Sequence, residues 1–339
     1  APDKASAIIS YDLSDDEEYV VSDGERQSIV DALEHLKLLD PACGSGAFPI
    51  GALQKIVFIL QQIDPDAQLW FKKQFANASP ELRRVIEREF SHSNFNYIRK
   101  LGVIRENIYG IDIQPIATEI ARLRCFLTLI VDERIDDALE NRGIEPLPNL
   151  DFKFVTANSL IGLPSAGGPT LFKDLAGITQ LKEIRNQFFN STNSERHQLK
   201  DEFKEVQKQM LLRTIQLKGS DDTTQLLSTW DPFSNKLTSW FDPEWMFGVE
   251  DKFDLVIGNP PYVKKEHLDE QTIENLEKTY VETVKGKEKH WSDDLYVHFI
   301  FRGLELVKPN GILTYITNDS FVGLASKERV RTLMFNNEL

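Results

Sequence analysis

The residues best suited to chemistry are Asn259, Pro260, Pro261 and Tyr262, which directly follow the run "FDLVIG" at 253–258. Leu255, Val256 and Ile257 form the kind of continuous apolar run that belongs in a parallel strand buried on both faces. Gly258 ends it. Neither proline can donate a ladder hydrogen bond, and each holds the residue before it in extended geometry. The chain therefore leaves the sheet stiffly, presenting the Asn259 amide and the Tyr262 ring at a strand's carboxyl end. Open α/β sheets bind ligands at such ends. The Asn259 side-chain oxygen and the Pro260 carbonyl are two acceptors able to hold both hydrogens of a planar exocyclic amine. Such an amine is a poor nucleophile because its lone pair is delocalised into a ring. Two acceptors would favour a pyramidal nitrogen with the lone pair aimed at an electrophile, a positioning task whose stabilisation is felt mainly in the transition state. A Pro-Pro pair alone is equally compatible with a rigid turn and a packed tyrosine, so the choice falls to the rest of the chain.

A second loop, "DPACGSGAF" at 40–48, lies between an expected strand and an expected helix, where small residues let a ligand approach the backbone and the helix N-terminus. It is not a phosphate loop, because no Lys-Ser/Thr follows. It is a poor dinucleotide fingerprint, because Pro49 stands where a third glycine belongs. Asp40 at the strand end would repel a pyrophosphate and welcome a cationic amino-acid group. Asp112, ending the next expected strand, is placed to accept hydrogen bonds from ribose hydroxyls. An adenosine cofactor with an ammonium group and no phosphate satisfies both, and S-adenosylmethionine is such a molecule. Glycines serving only close helix–sheet packing are the alternative for this loop taken alone.

These loops require strands and helices to hold them. The 339 residues are 41% hydrophobic and 27% charged, within the globular range. Strands are expected at Lys37–Leu39, 107–113, 152–160, 253–258 and 312–318, with helices between them. That alternation predicts an α/β fold with a doubly wound, mostly parallel sheet. Residues 1–25 read as an acidic lead-in and 26–339 as one domain with helical insertions at about 62–105 and 161–250. Within the second insertion, Leu199, Phe203, Val206, Met210 and Leu217 on one helix and Ile178, Leu181, Ile184 and Phe188 on another predict a helical hairpin outside the sheet. Residues 263–290 read as a mobile loop. No apolar stretch approaches a membrane span and no signal peptide opens the chain. Two cysteines, Cys43 and Cys125, and scattered histidines disfavour disulfides and zinc, so a cytoplasmic setting is expected. The net charge of −14 argues against a generic nucleic-acid coat.

Taken in order, "LLDPACGSGAF" and "FDLVIGNPPYV" resemble the N6-adenine DNA methyltransferases whose cofactor motif precedes the catalytic one. The phrases "WFDPEWMFGVEDKFDLVIGNPPYV" and "DDLYVHFIFRGLELVKPNGILTYITNDSF" are similar to the methyltransferase portion of type IIG restriction–modification enzymes. The resemblance implies a Rossmann-like methyltransferase fold using S-adenosylmethionine. It implies that Asp40, Pro41, Ala42, Cys43, Gly44, Gly46, Ala47 and Phe48 wrap the cofactor's methionine part, that Asp112 takes the ribose, and that Ile113 lies against the adenine. Asn158 and Ser159 would edge that adenine. Asn259 and the Pro260 carbonyl would hold the target amine, and Tyr262 would stack on a flipped base. Double-stranded DNA is the implied partner, bound mainly through a recognition domain absent from this sequence. The family's last sheet hairpin is likewise expected to lie outside it, and no nuclease constellation is evident. Methylation of a glutamine amide in a protein, methylation of guanine N2 in RNA, and an inactive binding scaffold are the competing readings.

Overall fold

A computed structural model describes residues 21–78, 80–133, 149–163, 175–189, 193–218, 230–284, 287–290, 293–323 and 327–336, together with 8, 9, 137, 142, 191, 226 and 227. Most of the expected lead-in, 1–25, lies outside the described residues. The first full helix, α1 (Asp23–His35), starts at Ser22. The Ser22 hydroxyl accepts from the Glu25 amide at 3.3 Å, and the Glu25 carboxylate accepts from the Ser22 amide at 2.9 Å, a reciprocal cap.

Then follow β1 (Leu38–Asp40), α2 (Ala47–Ile63), α3 (Gln68–Ala76), α4 (Pro80–Ser91), α5 (Phe95–Glu106), β2 (Ile108–Asp112), α6 (Pro115–Ile130) and β3 (Phe154–Thr156). The chain continues through α7 (Leu175–Phe189), α8 (Asn193–Lys218), α9 (Pro243–Phe247), β4 (Phe253–Gly258) and α10 (Glu270–Thr279). Strands β5 (Val281–Val284) and β6 (Lys287–His290) form a separate antiparallel pair. Last come α11 (Leu295–Leu306), β7 (Val307–Tyr315), α12 (Ser320–Gly323) and α13 (Glu328–Asn336).

Strands β1 to β4 and β7 form one all-parallel sheet in the order β3-β2-β1-β4-β7. The chain winds outward from β1 to β3, returns across β1 to β4, and ends at β7. The order thus reverses between β1 and β4, the switch point at which such sheets open a crevice. Side chains alternate across the strands. Leu38, Ile108 and Phe154 point into a core shared with α2, α3, α5 and α6. Leu39, Tyr109, Ile111, Val155, Phe253 and Val256 point into a core on the opposite face. The fold is therefore the expected doubly wound α/β sheet, covered on both sides. No helix among the described residues is long and apolar enough to cross a membrane.

Three expectations are corrected. The hairpin α7–α8 forms as read, but it is not peripheral. Its Leu181, Ile184, Phe188, Phe203, Val206 and Met210 share one buried core with Leu39, Ile111 and Val256 of the sheet. Burying each such side chain contributes roughly 1.5–3 kcal/mol, so excising 175–218 should abolish the cooperative thermal transition followed by circular dichroism. A sigmoidal melt surviving the deletion would show the hairpin to be detachable. Second, the described residues 263–284 and 287–290 form helix and strand rather than an open loop. Asp269 caps α10 by accepting from the Thr272 amide at 2.8 Å, and Leu276 and Tyr280 pack with Leu160 and Phe299. Third, β3 ends at Thr156, and the segment around Thr238 runs alongside its end. Ala157 bridges Thr238, and the Asn158 amide donates to the Thr238 carbonyl at 2.8 Å.

One side chain ties the sheet's amino ends together. The Asp254 carboxylate accepts from the Lys37 backbone amide at 2.7 Å and from the Lys308 ammonium at 2.9 Å, linking the starts of β4, β1 and β7.

Candidate active site

Strand β1 delivers Asp40 to the switch point. The side chain is 1% exposed, and one oxygen, Oδ1, accepts from the Ala42 amide at 3.0 Å. The other, Oδ2, is buried without a hydrogen bond among the described residues. Burial pushes the Asp40 carboxyl up to about 7, and the nearby Asp112 charge adds to the rise. Glycine at 258, across the switch point, makes this placement possible: a Cβ there would stand 2.7 Å from Asp40 Oδ1. The ends of β1 and β4 are thus in direct contact through an acid and a missing side chain.

The loop after β1 turns back through Gly46, whose φ of 81° is costly for residues with a side chain. A Cβ at Gly46 would also meet Ala121 of α6 at 3.0 Å. Asp112, ending β2, locks this loop: its Oδ2 accepts from the Gly44 amide at 2.9 Å and its Oδ1 from the Gln114 amide at 2.8 Å. Each carboxylate oxygen keeps a further acceptor direction. Ile113 beside it is 53% exposed, an apolar surface open to a flat ligand. The Cys43 thiol is buried and raised well above its ordinary range by burial and by Asp40 and Asp112, so it is no thiolate nucleophile. Pro41 is buried, Ala42 and Phe48 are half-buried, and Ala47 is exposed.

After β3, Asn158 is half-buried and its side-chain oxygen accepts from the Leu160 amide at 3.2 Å. Ser159 turns inward: its hydroxyl donates to the Pro41 carbonyl at 2.7 Å. The Ser159 side chain therefore holds the first loop rather than lining its surface. Arg302 of α11, which motif reasoning did not single out, fastens the same segment by donating to the Ser159 carbonyl at 2.8 Å and to the Phe241 carbonyl at 3.1 Å.

At the end of β4, Asn259, Pro261 and Tyr262 are exposed while Pro260 is buried. The Tyr262 hydroxyl contacts the Asn259 side-chain oxygen in a short hydrogen bond and the Ile316 carbonyl at 2.8 Å, with a single proton to give to either. Strand β7 supports this arrangement, since the Ile316 amide donates to the Gly258 carbonyl at 3.0 Å. Tyr315, also missed from sequence, is pushed upward by burial and by the Asp40 charge, and its hydroxyl has no hydrogen bond among the described residues. Asp40 thus leaves one orphaned buried oxygen at the switch point, and the Tyr315 hydroxyl leaves another beside Gly303 of α11. A cationic or hydrogen-bonding ligand group would satisfy the former. Among the described residues no group of three or more His, Cys, Asp and Glu side chains could hold a metal ion.

All sixteen residues singled out from sequence fall at or just beyond the carboxyl ends of β1, β2, β3 and β4, the last two of the first loop in the opening turn of α2. Comparison with known proteins places the chain among methyltransferases. Residues 106–339 match the family described as Eco57I restriction-modification methylase, and residues 17–159 match the DNA-methyltransferase domain of MmeI. A Methanocaldococcus jannaschii protein, whose name places it among type II restriction enzymes and methyltransferases, is 35% identical over 136 residues, 40% of this chain and 9% of that protein. The Escherichia coli type II restriction enzyme and methyltransferase RM.Eco57I is 25% identical over 302 residues, 89% of this chain and 22% of its own length. The adenine-specific methyltransferase BrxX of Escherichia coli O9:H4 is 21% identical over 331 residues, 90% of this chain and 23% of that protein. The matched stretch spans under a quarter of each of these relatives. With the family match covering residues 106–339, the chain belongs to the Eco57I restriction-modification methylase family.

Proposed function

We propose that this chain transfers a methyl group from S-adenosylmethionine to the N6 amino group of adenine in double-stranded DNA, as part of a restriction–modification system. The observation that carries the reading is the contact of Asp40 with Gly258. It sets a buried acid suited to an ammonium group one strand away from the exposed Asn259 amide and the Pro260 carbonyl beside it, a pair suited to an amine.

The residues at the switch point fit the cofactor. The free Asp40 oxygen would take its ammonium, Asp112 its ribose and Ile113 its adenine, while residues 40–48 would enclose the methionine part. When bound, the sulfonium supplies an electrophilic methyl group. Asn259 and the Pro260 carbonyl orient the target nitrogen, and no general base of high strength is needed. A duplex base must first leave its stack, at a cost of a few kcal/mol. Stacking on Tyr262, 48% exposed, would return about 1–3 kcal/mol.

In this reading residues 26–339 form one methyltransferase domain. The longer polypeptide reads the DNA sequence mainly with other parts, which accommodates the charge of −14 here. The reaction takes place in the cytoplasm. The relative named as adenine-specific supports the choice of base. The test is mass spectrometry of nucleosides after incubation with duplex DNA and isotope-labelled S-adenosylmethionine, where N6-methyladenine is expected. Label on a protein glutamine or on RNA guanine would overturn the substrate. Asp112→Ala should weaken calorimetric binding of the cofactor by at least about tenfold, roughly 1.4 kcal/mol; unchanged binding would overturn the cofactor site.

A further inference from the structure

A second recess, of about 1180 Å³, opens at the other end of the sheet, beside the strands' amino ends and beneath the α7–α8 hairpin. Its walls include Lys153, which immediately precedes β3 and is only 9% exposed. The Lys153 ammonium lies 3.9 Å from the centroid of the Tyr109 ring and has no hydrogen bond or ion pair among the described residues. Lys37 and Arg105 line the same recess, 3.7 Å and 2.7 Å from the carboxylate of Glu106. Arg185 of α7, 8% exposed, is a fourth cation in the wall. Glu106 is thus shared by Lys37 and Arg105, while Arg185 has Glu244 and Asp242 as its nearest acids and Lys153 has no ion pair among the described residues.

Uncompensated buried charge is strongly unfavourable. Burial pulls the Lys153 ammonium well below its ordinary range, and the Lys37 charge beside it acts in the same direction. The other acids of the recess, among them Glu183 and Glu202, are exposed. Water and salt screen them, whereas the buried cations act through a poorer dielectric. An exposed acidic rim also disfavours an extended polyanion such as duplex DNA.

We propose that this recess is an anion site for a small polyphosphate, free or carried by a nucleotide, with Lys153 as the contacting cation. The site is separate from the methyl-transfer loops, which lie at the opposite ends of the strands. A polyphosphate matches several cations with one ligand and would restore the Lys153 charge. Docking it should couple the hairpin to the sheet, because Arg185 comes from the former and Lys37 and Lys153 from the latter.

The test uses the intact chain, its Lys153→Met variant, and calorimetry with pyrophosphate, ATP and a duplex oligonucleotide. Met keeps the length of the stem and its packing on Tyr109 while removing a buried polar group that burial disfavours in its charged form, so the variant should melt close to wild type. Pyrophosphate should bind wild type and bind the variant at least about tenfold more weakly, with S-adenosylmethionine binding equal in both. ATP binding more tightly than pyrophosphate would assign a nucleotide; equal binding would assign the free anion. No pyrophosphate or ATP binding to wild type, or equal binding to both proteins, would overturn the site. So would displacement of pyrophosphate by the duplex, which would make the recess a DNA-backbone contact.

Discussion

Asn259→Ala, made in the polypeptide that carries this chain, should lower single-turnover methylation of adenine by on the order of 100–1000-fold, the usual cost of removing one acceptor from a preorganised site. Affinity for S-adenosylmethionine should change by no more than a few-fold. The side chain is exposed at the end of β4 and makes its hydrogen bond with Tyr262, not with the loop after β1. Tyr262 adds a refinement. Because its hydroxyl bridges Asn259 and the Ile316 carbonyl, Tyr262→Phe frees the amide to rotate and should cost several-fold in rate. Tyr262→Ala also removes the stacking face and should cost more, by about 1–3 kcal/mol. Full activity in Asn259→Ala would remove the proposed mechanism.

The second large effect is a pH dependence of cofactor binding set by Asp40. Its carboxyl, pushed up to about 7 by burial, is neutral in mildly acid solution. Holding an ammonium group requires the ionised form, so affinity for S-adenosylmethionine should rise on the order of 50-fold from pH 5 to pH 7. Above about pH 8 the ligand's own α-amino group loses its charge, giving a bell. Asp40→Asn should flatten the acid limb. Near pH 6 wild-type binding should release close to one proton, read by calorimetry in two buffers of different ionisation enthalpy. The ligand-free protein should behave oppositely. With the native carboxyl above its unfolded value of 3.8, the native state binds more protons between pH 4 and 7, so stability falls as pH rises through that window, by up to about 4 kcal/mol. A flat affinity between pH 5 and 7 would show that Asp40 does not meet the ammonium.

Much of this site was readable from short stretches. The limits 253–258 of β4 follow from its apolar run and Gly258, and Asp40 and Asp112 mark strand ends because a polar residue closes each run. What escaped depends on approaches between distant residues. The Tyr262 hydroxyl meets a carbonyl 54 residues away, and Arg302 reaches Ser159 across 143. Nothing local in "YITN" or "FIFRGL" signals either contact. The hairpin was misplaced because its seam looks the same whether a helix or a sheet covers it. The helix within 263–290 was legible in principle: Asp269 caps a segment with Ile273, Leu276 and Tyr280 at helical spacing, but surrounding charge obscured it.

The bond from the Lys37 amide to the Asp254 carboxylate spans 217 residues of chain. It fixes the order of events when the polypeptide is made. At about 5–20 residues per second, roughly 10–45 s separate the appearance of β1 from that of its neighbour β4. During that time the β1 edge that will receive β4 has no partner, and Asp40 has no Gly258 to lie against. Parallel pairings of such separation form late and slowly. Asp40 and Asn259, to which cofactor and target binding are assigned in the proposed function, are therefore made roughly 10–45 s apart, and neither half of the proposed site is complete until the other arrives. A nascent chain stalled before residue 253 should remain open to proteases and chaperones along β1, and it becomes competent to bind ligand only when β4 is laid down.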